Sequence, residues 1–381
     1  MEGQTTIFEM LYSTFKIDKP IRLIELFAGY GSQALALKYL GVEFEHWKIC
    51  EWAIKSIQAY KDLHCENDNT DYSQDLSIEE IKEYLFNKGI SSNYNDPMTQ
   101  QQINRLNEKQ VRTIYNNIKA THNLVNIQQV KGTDLEIKDI NKYCYIMCYS
   151  FPCQDLSIAG LGKGMSDTTT RSGMLWEVVR ILTECQELGS CPQILLMENV
   201  PLVHGADNVA DFNRLQLRLE ELGYKNYWQD LNSKDYGIPQ TRNRTFMVSI
   251  LGDYNYTFPK PIPLKLKLKD MLEDNVDKKY YLSEKTINGM LNTNFNSYKL
   301  ESRLQDAGGV LDTLLTSSGE RCPHVIKVKN NTKKGYVEAE KYDCIDLCQP
   351  NSKTRRGRVQ KGKSQTITTM GGTHLGVIVD E

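Results

Sequence analysis

An apolar run passes directly into a glycine-rich turn in the segment Ile21-Arg-Leu-Ile-Glu-Leu-Phe-Ala-Gly-Tyr-Gly-Ser-Gln33. The apolar run has the pattern of a buried strand, and residues 34–40 have a helical pattern. A strand, a glycine turn and a helix in this order are typical of the start of a doubly wound α/β domain.

The alternation of strand-like and helical patterns continues along the chain. Apolar runs that resemble strands lie at 44–50, 143–150, 193–198, 225–231 and 244–251, and helical patterns lie at 172–188 and 210–222. Such alternation predicts helices on both faces of a sheet. The predicted fold class is therefore α/β, with a doubly wound, Rossmann-like, mostly parallel sheet.

Two shifts in composition divide the chain, whose 381 residues are too many for one ordinary core. Between about 66 and 131 the sequence is polar and rich in Asn, Gln and Lys, which we interpret as an insertion at the sheet edge. At Pro259 the segment Lys-Pro-Ile-Pro-Leu-Lys-Leu-Lys leaves the sheet domain, and the sequence after it is irregular. We predict a larger domain over 1–258, with the insertion at 66–131, and a smaller domain over 259–381.

The composition is that of a soluble globular protein, with 40% hydrophobic and 25% charged residues and a net charge of -2. The chain has no apolar run of roughly eighteen residues and no amino-terminal secretory signal, so we expect no membrane span and a cytoplasmic location. Its ten cysteines form no disulfide framework. The spacing of the Cys144/Cys148 and Cys344/Cys348 pairs does not fit common zinc sites, so we expect no metal.

The glycine turn and a downstream carboxylate form a candidate ligand site. Gly29 and Gly31 stand where a backbone must approach a ligand closely, and Ala34 completes a Gly-x-Gly-x-x-Ala pattern. Glu51 follows about twenty residues later at the end of the next strand, where it can accept hydrogen bonds from two ribose hydroxyls. NAD and S-adenosylmethionine both satisfy this pattern, and a purely structural turn with a solvated Glu51 is the alternative.

Three further segments carry chemistry. Tyr149-Ser-Phe-Pro-Cys-Gln-Asp-Leu-Ser157 places one thiol, Cys153, in a proline-fixed turn at the carboxyl end of a buried strand, where such sheets bind ligands. Glu198 ends another apolar strand, and Gln240-Thr-Arg-Asn-Arg244 brings two arginines to the start of a further strand. A nucleophile, an acid and an arginine pair together predict an active site.

These segments resemble the ordered motifs of the DNA cytosine-5 methyltransferases, specifically their phage and bacterial members. The motifs lie in the family's order between about 21 and 250: Phe27-Ala-Gly-Tyr-Gly31, Glu51-Trp52, Gly132-Thr-Asp134, Phe151-Pro-Cys-Gln154, Thr170-Arg-Ser-Gly-Met-Leu175, Glu198-Asn-Val200 and Gln240-Thr-Arg-Asn-Arg244. The resemblance implies the fold of class I S-adenosylmethionine-dependent methyltransferases, S-adenosylmethionine as methyl donor, and double-stranded DNA as partner.

The same resemblance implies a role for each motif residue. Around the methyl donor, Phe27 stacks on the adenine, Glu51 holds the ribose, Trp52 packs against the cofactor, Asp134 binds the adenine edge, and Pro152 and Leu175 line the pocket. At the target base, Cys153 attacks cytosine C6, Glu198 donates to N3, and Arg244 with Arg242 binds O2 and a nearby phosphate, while Gln240 contacts DNA. Because these atoms are hidden in stacked duplex DNA, the target cytosine is expected to be flipped out.

The resemblance implies that residues from 259 onward recognise the target sequence. Residues 323–369 hold eleven Lys or Arg and four Asp or Glu, a balance suited to a phosphate backbone. The candidates for phosphate or guanine contacts are Lys353, Arg355, Arg356 and Arg358. An exposed loop without readout is the alternative.

The chain departs from the family pattern at its end, because the last two motifs of the family do not follow. We therefore expect a truncated enzyme, a split enzyme completed by a second chain, or a remnant that binds DNA without turnover, and an inactive isolated chain. A transfer-RNA cytosine methyltransferase has the same chemistry, but the long variable region favours DNA. A nicotinamide oxidoreductase has no use for the Pro-Cys turn or the arginine pair.

Overall fold

A computed structural model describes residues 14–152 and 172–272, together with the backbone of five short strands further along the chain. Within these residues the main feature is a six-stranded sheet of order β2-β1-β3-β4-β7-β5. Its strands are β1 (Ile21–Leu26), β2 (Phe44–Cys50), β3 (Cys144–Tyr149), β4 (Ile194–Asn199), β5 (Tyr224–Asn232) and β7 (Asn243–Leu251), and β6 (Gln240–Thr241) lies outside this sheet.

The sheet is mostly parallel, as the sequence predicted. Strand β1 runs parallel to both β2 and β3, and β3 runs parallel to β4, whereas β7 runs antiparallel to β4. The helices between the strands are α1 (Ser32–Tyr39), α2 (Ile54–His64), α3 (Ile78–Lys88), α4 (Gln100–Asn104), α5 (Glu108–Ala120), α6 (Leu175–Glu187) and α7 (Val209–Glu221). This α/β architecture confirms the predicted fold class.

The main core lies between the sheet and helices α6 and α7. Strand residues Met147 and Met197 pack there with no exposed surface, as do Leu182 on α6 and Leu215 on α7. Each of these helices buries one apolar stripe, which is the pattern that its sequence predicted. Burial of this apolar stripe holds both helices against the sheet and so fixes the strand ends that carry the site.

The polar segment at 66–131 forms a helical subdomain, which packs with α2 around a second apolar core. Helices α3, α4 and α5 each begin with a capping box, in which Ser77, Thr99 and Asn107 accept from the third helical backbone N–H. Their apolar side chains form a separate cluster that includes Ile81, Leu85, Ile103, Val111 and Ile118. The segment after α5 then pairs with the outer edge of β2, which is the first strand of the sheet.

The chain divides into two compact units. One comprises Met1–Gln229 and Thr245–Phe258, and the other comprises Asp230–Arg244 and Pro259–Glu381. In the second unit, β6 pairs in parallel with a short strand at Leu311–Asp312. The remaining short strands form two antiparallel pairs, Lys327–Lys329 with Tyr336–Glu338 and Cys344–Ile345 with Val359–Gln360.

The helices in the described ranges have at most 13 residues each. Among them there is no helix with the length and apolarity that a membrane crossing requires. In the same ranges no three or more His, Cys, Asp or Glu side chains group as metal ligands. Cys144 and Cys148 are buried free thiols in β3.

Candidate active site

The turn between β1 and α1 is built from residues with a left-handed backbone. Phe27, Gly29 and Gly31 have φ values of 56°, 57° and 80°, a conformation that glycine adopts without steric cost. A Cβ atom on Gly31 would lie 2.4 Å from Nε2 of His64 and 2.6 Å from Cε2 of Tyr60, whereas one on Gly29 would meet nothing within 4 Å. The turn is thus closed beneath Gly31 and open at Gly29, where a ligand has room.

The carboxylate of Glu51 lies against this turn. Its Oε2 accepts a hydrogen bond from the backbone N–H of Gly29 at 2.9 Å, and its Oε1 accepts one from the N–H of Ala53 at 2.7 Å. Glu51 is 8% exposed, and burial raises the pKa of its carboxyl group while the two backbone N–H groups act in the opposite direction. Gly29 and Glu51, which the sequence pattern assigns to one ligand, are therefore in direct contact.

A second carboxylate, that of Glu25, lies beneath the turn and was not identified from the sequence. Its Oε2 accepts a hydrogen bond from the hydroxyl of Tyr60 at 2.7 Å, and its Oε1 accepts one from the N–H of Ala34 at 3.2 Å. Glu25 is 1% exposed, and burial raises its pKa to about 7. The sequence did contain a sign of this site, because Glu25 is an acidic residue inside an apolar strand. An acidic side chain in such a position needs buried hydrogen-bond partners.

The other residues predicted to surround the methyl donor lie in different surroundings. Phe27 is partly buried against the main core, and Trp52 is partly buried against the core of the helical subdomain. Asp134 is half-buried in a short turn, where its Oδ2 accepts from the N–H of Lys131 at 2.9 Å.

Pro152 and Leu175 were predicted to line the cofactor pocket. Pro152 is half-buried and lies three residues after the end of β3. Leu175 is completely buried in the main core at the start of α6 and so presents no exposed surface to a ligand. The contacts predicted for both residues with a cofactor stay predictions.

Two side-chain hydrogen bonds join the carboxyl ends of β3 and β4. The hydroxyl of Ser150 donates to Oε2 of Glu198 at 2.6 Å, and Nδ2 of Asn199 donates to the carbonyl oxygen of Phe151 at 3.1 Å. Because β3 and β4 are parallel neighbours, both strands end at the same edge of the sheet. Glu198 is therefore held beside the backbone segment that leads to Pro152.

The arginine pair predicted from the sequence belongs to the second compact unit. There the N–H of Arg242 donates to Oδ1 of Asn232 at 3.2 Å, and Nη1 of Arg244 donates to the carbonyl oxygen of Asn243 at 2.7 Å. Gln240 lies in β6, which pairs with residues 311–312. The expectation that both arginines face Glu198 around one pocket stays a prediction.

The remaining site residues predicted from the sequence lie outside the described residues. They are Cys153, which follows Pro152 in the sequence, and the four basic residues Lys353, Arg355, Arg356 and Arg358.

Comparison with known proteins places the chain in a family. The family model for C-5 cytosine-specific DNA methylases matches residues 86–371. The chain is 35% identical over 271 residues to the type II methyltransferase M2.ScrFI of Lactococcus lactis subsp. cremoris, which covers 70% of this chain and 71% of that protein. This chain belongs to the C-5 cytosine-specific DNA methylase family.

A second relative and a solved structure extend the comparison. The orphan methyltransferase M.SssI of Spiroplasma monobiae is 32% identical to this C-5 cytosine-specific methylase over 339 residues, which cover 83% of this chain and 84% of that protein. The solved structure of the Entamoeba histolytica methyltransferase EhMeth has a TM-score of 0.50 and 15% identity, and covers 82% of this chain and 79% of that chain. That structural likeness supports the shared fold alone.

Family membership decides between NAD and S-adenosylmethionine, the two ligands that fit the sequence pattern of the glycine turn. The protein is a DNA (cytosine-5-)-methyltransferase, and the methyl donor of this family is S-adenosylmethionine. The residues at the turn fit an adenosine-containing ligand, because the backbone is open at Gly29 and a carboxylate with two acceptor oxygens, that of Glu51, ends the next strand.

Proposed function

We propose that this methyltransferase methylates cytosine at C5 in specific sites of double-stranded DNA, through a covalent intermediate on Cys153. The observation that supports this proposal is the pair of hydrogen bonds from Ser150 to Glu198 and from Asn199 to Phe151. These bonds hold the Glu198 carboxyl group beside the backbone of Ser150 and Phe151. Cys153 comes two residues after Phe151 in the sequence. A nucleophile and a proton-donating group are both needed, because C5 of cytosine is a weak nucleophile in the unreacted base.

In the proposed reaction the thiolate of Cys153 adds to C6 and forms a carbon–sulfur bond. The Glu198 carboxyl group forms a hydrogen bond to N3, where negative charge develops during the addition, and so stabilises the transition state. Addition makes C5 enamine-like and able to attack a methyl group. S-adenosylmethionine, when bound, supplies that group as an electrophile: the bond from the methyl group to the sulfonium sulfur breaks and S-adenosylhomocysteine is left. A base then removes the proton from C5, the carbon–sulfur bond breaks, and Cys153 leaves as the thiolate.

The remaining predicted residues have binding roles in this proposal. Gly29 and Glu51 hold the adenosine portion of the methyl donor, with Phe27 and Asp134 on the adenine. Arg242 and Arg244 bind O2 of the cytosine and a nearby phosphate. Because an enzyme cannot reach C6 or N3 inside a stacked duplex, the cytosine is flipped out of the helix before reaction.

The proposal is tested by trapping the enzyme on duplex DNA that contains 5-fluorocytosine. Fluorine at C5 cannot be removed as a proton, so the carbon–sulfur bond persists and the complex survives denaturing electrophoresis. The chain is assayed with S-adenosylmethionine and with the chain or segment that supplies the family's last two motifs. Under these conditions the unaltered protein is expected to form the adduct, Cys153→Ala is expected to form none, and Glu198→Gln is expected to form it slowly. An adduct that forms equally with Cys153→Ala would overturn the assignment of the nucleophile.

The same proposal includes DNA recognition by the second unit. Its basic segment, from Lys353 to Arg358, carries four cationic side chains within six residues and matches the charge of a phosphate backbone.

A further inference from the structure

The backbone that follows α5 runs along the outer edge of β2. The N–H of Leu124 donates to the carbonyl oxygen of Ile49 at 2.8 Å, and the N–H of Ile49 donates to the carbonyl oxygen of His122 at 3.4 Å. Asn123 lies between these two bonds and is 6% exposed. The helical subdomain therefore reaches the last residues of β2, directly before Glu51.

The side chain of Asn123 binds both polar groups of the Glu51 backbone. Its Oδ1 accepts from the N–H of Glu51 at 3.0 Å, and its Nδ2 donates to the carbonyl oxygen of Glu51 at 2.9 Å. The same Oδ1 accepts from the N–H of Val125 at 2.8 Å, which fixes the amide in one orientation. The primary amide thus pairs with Glu51 as a neighbouring strand would.

A second contact from the helical subdomain holds the residues that follow Glu51. The N–H of Ser91 donates to the carbonyl oxygen of Trp52 at 2.8 Å, and the N–H of Ile54 donates to the carbonyl oxygen of Ser91 at 2.9 Å. The side chain of Trp52 packs against the apolar core of the subdomain. Four backbone groups between Glu51 and Ile54 are therefore bonded to the subdomain.

We propose that Asn123 is a positioning residue for Glu51, and that the 66–131 subdomain is an integral part of the methyl-donor site. The proposal rests on the proposed role of Glu51 in ribose binding. A carboxylate can bind two ribose hydroxyls only if its backbone is fixed, because a small rotation at Cα displaces both oxygens. The Asn123 amide fixes that backbone on both sides of the Glu51 Cα atom.

The test is the affinity of the full chain for S-adenosylhomocysteine, measured by isothermal titration calorimetry without DNA or turnover. Asn123→Ala is expected to weaken binding on the order of tenfold, since it leaves three buried backbone groups without this partner, the N–H and carbonyl groups of Glu51 and the N–H of Val125, and frees the residue that holds the ligand. The matched control is Asn117→Ala. Asn117 is a similarly buried asparagine of the same subdomain, but its Nδ2 donates to Oε1 of Gln58 at 2.6 Å.

A structural role in folding alone would not change recognition of the ribose. The affinities for S-adenosylhomocysteine and its 2′-deoxy analogue are therefore compared. Asn123→Ala is expected to reduce the preference for the 2′-hydroxyl, Asn117→Ala is expected to preserve it, and Asn123→Ala in a Glu51→Ala background is expected to have no further effect on it. If Asn123→Ala does not fold, Asn123→Asp is measured instead, because aspartate keeps an acceptor for the Glu51 N–H but replaces the donor to the Glu51 carbonyl by a charged oxygen, which repels that carbonyl.

The outcomes separate the inference from the function on which it rests. A wild-type chain that does not bind S-adenosylhomocysteine would contradict the role of Glu51 in ribose binding. Wild-type binding with an unchanged ribose preference in the Asn123 variants would overturn the positioning role and leave the proposed function intact.

Discussion

Gly29, Gly31 and Gly41 all have a left-handed backbone but differ in what a methyl group would meet. Their φ values are 57°, 68° and 80° for Gly29, Gly41 and Gly31, respectively. A Cβ atom on Gly29 or Gly41 would meet nothing within 4 Å, whereas one on Gly31 would lie 2.4 Å from Nε2 of His64 and 2.6 Å from Cε2 of Tyr60. Alanine at the three positions therefore separates backbone strain from steric overlap and from ligand exclusion.

The magnitudes follow from these contacts. The left-handed conformation costs alanine about 1–2 kcal/mol at each position. At Gly31 the added methyl group also overpacks the ring of Tyr60, which is 1% exposed and tied by its hydroxyl to Glu25, and overpacking costs about 1–3 kcal/mol more. The total expected loss is therefore roughly 2–5 kcal/mol for Gly31→Ala, against about 1–2 kcal/mol for Gly29→Ala and Gly41→Ala.

The assay pairs urea denaturation with S-adenosylhomocysteine binding. Gly31→Ala is expected to lose more stability than Gly41→Ala. Gly29→Ala is expected to match Gly41→Ala in stability but to bind the ligand at least about tenfold more weakly, because its methyl group fills the space at the open side of the turn. Equal stability of Gly31→Ala and Gly41→Ala would refute the steric reasoning, and wild-type affinity in Gly29→Ala would refute a ligand above Gly29.

Three further predictions concern pH, catalysis and DNA binding. Because burial raises the pKa of Glu25 to about 7 from 4.5, the folded state binds its proton more tightly than the unfolded state. The stability that this proton contributes is present below pH 4.5 and lost as pH rises through 7, by roughly 3 kcal/mol, so urea unfolding of Glu25→Gln is expected to lack this part of the pH dependence seen in wild type. Ser150→Ala removes the donor to Glu198 and is expected to lower kcat about tenfold without changing the affinity for S-adenosylhomocysteine. Ser150→Thr keeps a hydroxyl group and is expected to restore most of the rate. An unchanged rate of adduct formation by Ser150→Ala on 5-fluorocytosine DNA would contradict the role of this hydrogen bond. Replacing the basic residues by alanine is expected to reduce the slope of log affinity against log salt by about 0.9 for each one that contacts a phosphate, and an unchanged slope would exclude phosphate contacts by Lys353, Arg355, Arg356 and Arg358.

The fold was predictable from the sequence because its strands are apolar runs that end at turns. The strand predicted at 44–50 has the same bounds as β2. The strand predicted at 193–198 differs from β4 by one residue at each end. The contact between Gly29 and Glu51 was also predictable, because a glycine turn and a carboxylate at the end of the next strand form a known pattern.

The hydrogen bonds that fix the site were not predictable in the same way. Glu51 and Asn123 are 72 residues apart, and Ser150 and Glu198 are 48 residues apart, so no local periodicity relates the partners. The segment at 66–131 was interpreted from its polar composition as an insertion of unknown role, although the capping boxes that begin α3 and α4 were present in its sequence at Ser77 and Thr99. Which polar residues support the site depends on side-chain hydrogen bonds between distant parts of the chain, and these bonds cannot be inferred from composition.

The subdomain that covers the outer edge of β2 matters to anyone who shortens this enzyme as a compact tool for DNA modification. Its polar sequence makes it an obvious segment to delete. Deletion would leave the N–H and carbonyl groups of Ile49 exposed on an open strand edge, a template on which other chains pair and aggregate. A smaller version therefore needs a replacement element at that edge, and a variant trimmed without one is expected to precipitate.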